Sequence, residues 1–392
     1  MLLQSSILLM YATALAAAIP HKRQSAPTGF NWGNEKIRGV NLGGWLLLEP
    51  WITPSIFRKY PASAGIVDEY TLCKTLGRDR AHDEVLRPHW ESWITLADFE
   101  KIAQAGFNVV RIPIGFWAFD NAGSPYARGA AAYLDKAVGW ARRTGLKVVV
   151  DLHGVQGSQN GFDNSGHRIP RPLWQTGEHV GKSLETLEII QRKYGAAEYD
   201  DVIAGIELVN EPLIAELDFD KVKQYERRGY KQQRDVSDSR VVVIQDGFVE
   251  PRAYNGWLTP SDDNSQYVAI DHHDYQVFTD QLVAMTPAEH REYVCSNAYT
   301  YSGADKWTFV VALNGWERGA RYDGTFPGSP YTWSQGFKDD TRWYIETQMD
   351  VFEANTQGWM FWTWRTEDSP AWDAQHLIDA GVFPQPLTAR SD

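Results

Sequence analysis

The chain is expected to fold as one (β/α)8 barrel. Three observations predict this. Eight apolar, β-rich runs are spread along 392 residues. Amphipathic, helix-like stretches separate them. The runs end in polar or aromatic residues, where a parallel barrel carries its chemistry. The length would also allow two medium domains, but no internal repeat or low-complexity linker divides the chain.

The strand candidates are Ile37–Leu48, Asn108–Ile114, Lys147–Leu152, Val202–Val209, Arg240–Gln245, Tyr267–His272, Lys306–Val311 and Gly358–Trp364. Between them, apolar residues recur at helical spacing in Leu96–Ala105, Leu134–Arg143, Leu184–Tyr194, Phe219–Arg234 and Asp340–Glu353. Gly106, Gly145 and Gly195 follow such stretches, where a glycine ends a helix in a left-handed turn.

The strand ends collect the candidate chemistry. The first run leads to Glu49, and the second contains Arg111. The third gives Asp151 and His153, and the sixth His272, His273 and Tyr275. The eighth gives Trp362 and Trp364. The fourth is the most pointed: Ile206-Glu207-Leu208-Val209-Asn210-Glu211-Pro212 reads as a buried strand whose tip carries an amide and a carboxyl. A carboxyl there suits a general acid with a pKa raised by partial burial. The plainer reading is an acid that caps the next helix.

Before the barrel, Met1–Ala18 is an apolar run without an acid, ending in Ala16-Ala17-Ala18. It reads as a signal peptide. Lys22-Arg23 then ends a short propeptide (residues 19–23), leaving residues 24–392 as the barrel domain of a secreted, extracellular or cell-wall-associated protein. No second long apolar segment follows and no Asn-x-Ser/Thr acceptor is present.

The net charge of −12 disfavours nucleic acid and anionic membranes as partners, and a monomer is expected. Two cysteines, Cys73 and Cys295, without matching histidine spacing, argue against a zinc-type metal site, and no cofactor is called for. With 17 Trp and 18 Tyr, flat apolar faces are abundant. Most of these belong in the core, and some suit the C–H faces of sugar rings.

These motifs together resemble the fungal exo-β-1,3-glucanases of glycoside hydrolase family 5, from about Ile37 to near the C-terminus. The matching segments are Ile37-Arg38-Gly39-Val40-Asn41-Leu42-Gly43-Gly44-Trp45, Leu48-Glu49-Pro50-Trp51, Arg111-Ile112-Pro113, Asp151-Leu152-His153-Gly154, Asp271-His272-His273 with Tyr275-Gln276-Val277-Phe278, and Gly319-Ala320-Arg321-Tyr322-Asp323-Gly324. The most specific is Ser158-Gln159-Asn160-Gly161-Phe162-Asp163-Asn164-Ser165-Gly166.

The resemblance implies release of glucose from the non-reducing ends of β-1,3-glucan by a retaining double displacement, in cell-wall glucan metabolism. Glu211 would be the proton donor and later the base. Asn210 would bond the 2-hydroxyl of the reacting glucose. Arg111 would keep the nucleophile ionised. His153, His273 and Tyr275 would line the innermost subsite. Glu49, Asn164 and Trp362 would hold the terminal glucose, and Phe162 and Phe278 would clamp the entrance.

One departure bears on the chemistry. The family carries its nucleophile after the seventh strand, in Gly-Glu-Trp or Gly-Glu-Phe, followed by a Thr-Asp-Cys loop. Here Trp307-Thr308-Phe309-Val310-Val311 passes directly to Ala312-Leu313-Asn314-Gly315-Trp316-Glu317-Arg318-Gly319. The nucleophile segment is missing, and Glu317 is only a weak stand-in. The cysteines' family partners are missing too, so two free thiols are expected. An inactive glucan-binding barrel is therefore the alternative reading.

Overall fold

The computed structural model describes residues 29–313 and 328–391. The expected leader and Glu317 lie outside the described residues. Eight parallel strands close into a ring in chain order. They are Ile37–Asn41 (β1), Val109–Gly115 (β2), Lys147–Gly154 (β3), Ile203–Glu207 (β4), Val242–Gln245 (β5), Val268–His273 (β6), Trp307–Leu313 (β7) and Gly358–Phe361 (β8). The seam pairs β8 with β1, Gly358 opposite Ile37 and Phe361 opposite Val40. The predicted (β/α)8 barrel is the observed fold.

Boundaries moved where turn chemistry overrode the apolar pattern. The first run was expected to continue to Leu48, but β1 stops at Asn41. Gly43 and Gly44 follow, and Gly44 takes a left-handed φ of 66° that turns the chain away. Only Leu46 touches the sheet again, as an isolated bridge to Ile114. The chain between β1 and β2 also holds helices that the pattern did not disclose, among them Glu69–Leu76 and Arg87–Ser92.

The expected helices form. Phe219–Arg234 has the anticipated bounds, because Asp218 accepts from the amides of Asp220 and Lys221 at its start. Thr95 and Asp98 close a capping box on Leu96–Gln104. Gly106 and Gly145 are left-handed as expected, but Gly195 is not: its φ is −79°. A Cβ there would lie 2.5 Å from the Gln191 carbonyl and press on the Gln233 amide, so close helix packing, not the turn, calls for glycine. Cys73 is buried and Cys295 exposed, and both are free thiols.

Every residue of β2 is buried, and in β3 every residue but Lys147. Alternation sends Val110 and Ile112 outward to the helices and Arg111 inward to the barrel axis. The inward face of this barrel is thus charged at its centre, and that charge supports the site above it.

Gly358 joins β8 to β1 at φ 137°, and a Cβ there would fall on the Ile37 carbonyl oxygen. Gly358→Ala should therefore destabilise the fold by about 3 kcal/mol or more, read from the urea midpoint. A loss below about 1 kcal/mol would mean that the seam is not this tight.

Candidate active site

Arg111 has no exposed surface. Its Nε and Nη2 donate to the two oxygens of Glu207 at 2.7 and 2.8 Å. Nη1 lies 3.1 Å from Asp151 and Nε 3.3 Å from Asp271. A guanidinium has donors only, so the Asn atom facing it must be the oxygen. Nη2 meets Asn210 Oδ1 at 2.8 Å and Nη1 meets Asn41 Oδ1 at 3.3 Å. Both Glu207 oxygens receive guanidinium N–H groups, which favour its ionised form, while burial pushes its pKa well up.

Fixing the oxygen of Asn210 turns its NH2 toward His153, where Nδ2 lies 3.5 Å from Nε2. The His153 Nδ1 donates to Asp151 at 2.5 Å. His153 is then neutral, in agreement with burial, which pushes its pKa well down with help from Arg111. Trp362 stacks parallel to this ring, centroids 5.7 Å apart.

Glu211 follows at the tip of β4 in a left-handed conformation, φ 45°, which costs a non-glycine residue about 1–3 kcal/mol. Gln159 holds the elbow: its Nε2 donates at 2.8 Å to both the His153 and Asn210 carbonyls, and its own carbonyl accepts from Leu213. Beyond, Gly247 allows the chain to pass, since a Cβ there would press on the Pro212 carbonyl. Gln159 lies in the Ser158–Gly166 motif, and nothing local to it assigns this role. Its signal was its place in that motif, and its role needs the contact across the barrel mouth.

The Glu211 carboxyl is 7% exposed at the residue level. Oε1 accepts from His273 Nδ1 at 2.7 Å, and Oε2 from Asn164 Nδ2 at 2.7 Å. The other His273 nitrogen meets Asp271 at 3.1 Å. With both ring nitrogens facing carboxylate oxygens, His273 must donate twice and carry a positive charge. Burial opposes that charge, but Asp271 and Glu211 outweigh it and lift the pKa to about 10. For Glu211, burial raises the pKa, yet the hydrogen bond and charge of His273, helped by the Asn164 hydrogen bond, outweigh it. The net pKa lies below the ordinary value. The raised pKa expected from the sequence is thus corrected: the neighbouring imidazolium decides.

The remaining predicted residues divide by depth. Glu49 is buried on the β1 loop, its Oε2 accepting from Trp51 Nε1 at 3.1 Å. Its Oε1 has no hydrogen-bond partner among the described residues. Burial first, then Asp163, pushes its pKa well up. Tyr275 lies edge-on to His273, centroids 5.8 Å apart. Phe162 and Phe278 stand out at the rim, 43% and 64% exposed. Arg111 was expected among the residues that serve the sugar and nucleophile. It lies beneath them instead, with its donors committed to Glu207, Asp151, Asp271, Asn210 and Asn41. Two aromatics that sequence reasoning did not select, Trp51 and Trp372, complete the wall, 5.5 Å apart.

A sequence profile for Cellulase (glycosyl hydrolase family 5) matches residues 82–368. The chain belongs to glycoside hydrolase family 5. Over nearly its whole length it is similar to curated proteins of this family's type. It is 41% identical to the glucan 1,3-beta-glucosidase of Blumeria graminis, covering 98% of this chain and 95% of that one. It is 42% identical to that of Schwanniomyces occidentalis, covering 97% and 96%. The Blumeria match spans 418 aligned positions against 392 residues here, so that relative carries residues this chain lacks. The rutinosidase of Aspergillus niger has the same fold, with a TM-score of 0.76 over 91% of this chain and 100% of that one at 22% identity.

In this family 5 barrel, among the described residues, no cluster of His, Cys, Asp and Glu could hold a metal ion. What the described site offers is acid–base chemistry in an aromatic-walled mouth.

The double donation by His273 has a consequence for stability. Its folded pKa of about 10 exceeds the unfolded value, about 6.5. Its contribution is therefore complete below about pH 6.5 and is lost as pH rises through the folded value. Wild-type stability should fall by about 1.4 kcal/mol per pH unit across that window, while His273→Gln should lack this slope. Parallel pH dependence in denaturant titrations of the two proteins would show that His273 is neutral.

Proposed function

We propose that the protein is a secreted, monomeric glucan exo-1,3-β-glucosidase. It releases glucose from the non-reducing ends of β-1,3-glucan by a retaining double displacement. The observation that carries this reading is the near-full-length likeness to glucan 1,3-beta-glucosidases in a chain with a buried carboxyl, Glu211, at the tip of its fourth strand. Among the described residues, no helix is long and apolar enough to cross a membrane, which fits a secreted protein.

In this reading Glu211 protonates the leaving glycosidic oxygen and then activates water. Both its oxygens accept N–H groups that favour the ionised form, so its pKa rises when one donor withdraws. Asn164 is the one that can. Its Oδ1 accepts from Asn160 Nδ2 at 3.1 Å, which aims its NH2 at Glu211, and a sugar hydroxyl can take that NH2 instead. A second carboxylate about 5–5.5 Å away, as a retaining mechanism requires, would also raise the Glu211 pKa. Asn210, locked by Arg111, presents an N–H to the reacting ring. Glu49 supplies an unpaired oxygen to hydroxyls, Trp362 a flat face, and Phe162 and Phe278 the rim clamp.

One observation favours the alternative, a glucan-binding barrel without catalysis. On β7, Val311 is level with His273 and is fully buried. No residue of Trp307–Leu313 carries a carboxyl.

Glucose release from laminaritriose by the mature chain decides between the two. Release is expected, with the β-anomer as first product by NMR. Glu211→Gln should reduce it by about 100-fold or more. Aryl glucosides with good leaving groups need little protonation and should lose much less in their first step. Equal loss on both substrate types would remove Glu211 from the acid role. No release from the folded wild-type chain would establish the binding-protein reading.

A further inference from the structure

We propose that Trp372 sets the depth of the sugar pocket, as the stop against which the non-reducing end of the glucan rests. The inference depends on the glucan reading above and deepens it. In the closed ring, β8 lies directly across from β4. Glu211 stands at the tip of β4, so the bond that it protonates lies on that side. The glucosyl unit beyond the bond must extend across the mouth toward β8 and β1. There it meets Glu49, and behind Glu49 an aromatic wall.

That wall is continuous. Trp51 is oriented by its Nε1–H bond to Glu49 at 3.1 Å. Its ring stands edge-on to Trp372, centroids 5.5 Å apart at 74°. Trp372 in turn meets Tyr275 at 5.6 Å, and Tyr275 meets Phe278 at 5.9 Å. The β1, β8 and β6 loops are thereby joined ring to ring, with Trp372 as the middle link.

The backbone behind Trp372 is rigid. Its carbonyl accepts from Thr363 N at 2.9 Å, Ala374 N returns to the Thr363 carbonyl at 3.0 Å, and the next residue, Asp373, accepts from Thr366 N at 2.9 Å. The indole itself is partly buried, packed against Trp51 and Tyr275. A rigid apolar plate at the far end of a polar pocket accepts the edge of one ring and refuses a second. In a β-1,3-glucan the next unit would be attached through the 3-hydroxyl of that ring. Trp372 is therefore the residue that makes this site accept chain ends only.

The test uses calorimetric binding to the full mature chain carrying Glu211→Gln, so that nothing is turned over. The probes are laminaribiose and laminaribiose methylated at the 3-hydroxyl of its non-reducing ring. The methylated sugar should bind about tenfold or more weakly, since tenfold corresponds to about 1.4 kcal/mol. Adding Trp372→Ala should bring the two affinities within about twofold of each other, whereas Trp372→Phe should preserve the preference. Equal binding of both probes with Trp372 intact overturns the proposal, and this arm needs no further variant to fold. An unchanged preference in a folded Trp372→Ala protein also overturns it. Failure to bind laminaribiose at all would instead defeat the glucan reading itself, and this inference with it.

Discussion

The buried guanidinium of Arg111 is the interaction on which the rest depends. It is wholly inside the barrel, against Glu207, Asp151 and Asp271. Removing one partner of such a cluster leaves an uncompensated buried charge and costs about 3–5 kcal/mol. Its function is orientation as much as stability. Because Arg111 can only donate, it fixes which end of the Asn210 amide faces the pocket. Asn210 then fixes the tautomer of His153, and Asp271 holds one side of His273. Three polar groups around the reacting centre inherit their direction from one cation that never meets the sugar.

The same cluster governs the ionisation of Glu211. Burial alone would raise its pKa, and that was the natural expectation for an acid at a strand tip. The structure adds a second cation, because His273 bridges two carboxylates and must be protonated to do so. A charge-assisted bond at 2.7 Å outweighs the loss of hydration. These contacts therefore favour the ionised carboxylate, the form that accepts a proton from water in the second half of a double displacement. The first half requires the arriving sugar and a neighbouring negative charge to reverse the balance.

Much of this was legible in the sequence, for definable reasons. Strands buried on both faces read as continuous apolar runs, so all eight could be found. Acids, amides and aromatics at their ends marked Glu211, His153, His273, Tyr275 and Trp362. What escaped were relations between distant residues. Nothing near Arg111 in the chain says that three carboxylates will surround it. Gln159 reveals its purpose only when its amide reaches Asn210 across the β3–β4 gap, and Trp372 only when it meets Trp51 and Tyr275. Gly195 shows the converse, since a local rule suggested a turn where helix packing sets the residue.

The ionisation of Glu211 also bears on whether this barrel is an enzyme. The position on β7 level with His273 is Val311, an apolar side chain with no exposed surface. A nucleophilic carboxylate does not come from Trp307–Leu313. Arg111 has no donor left for one and would act on it only through its field. The charge of such a carboxylate would be felt at Glu211, against a single imidazolium that now holds the pKa low. Like charges at the spacing of a retaining pair raise one of the two pKa values strongly. The carboxyl of Glu211, followed by carbon-13 NMR, therefore reports on its partner. Titration above the ordinary glutamate range means that a second carboxylate has been brought close and the acid is set for catalysis. Titration below that range means that no second carboxylate stands at the spacing of a retaining pair.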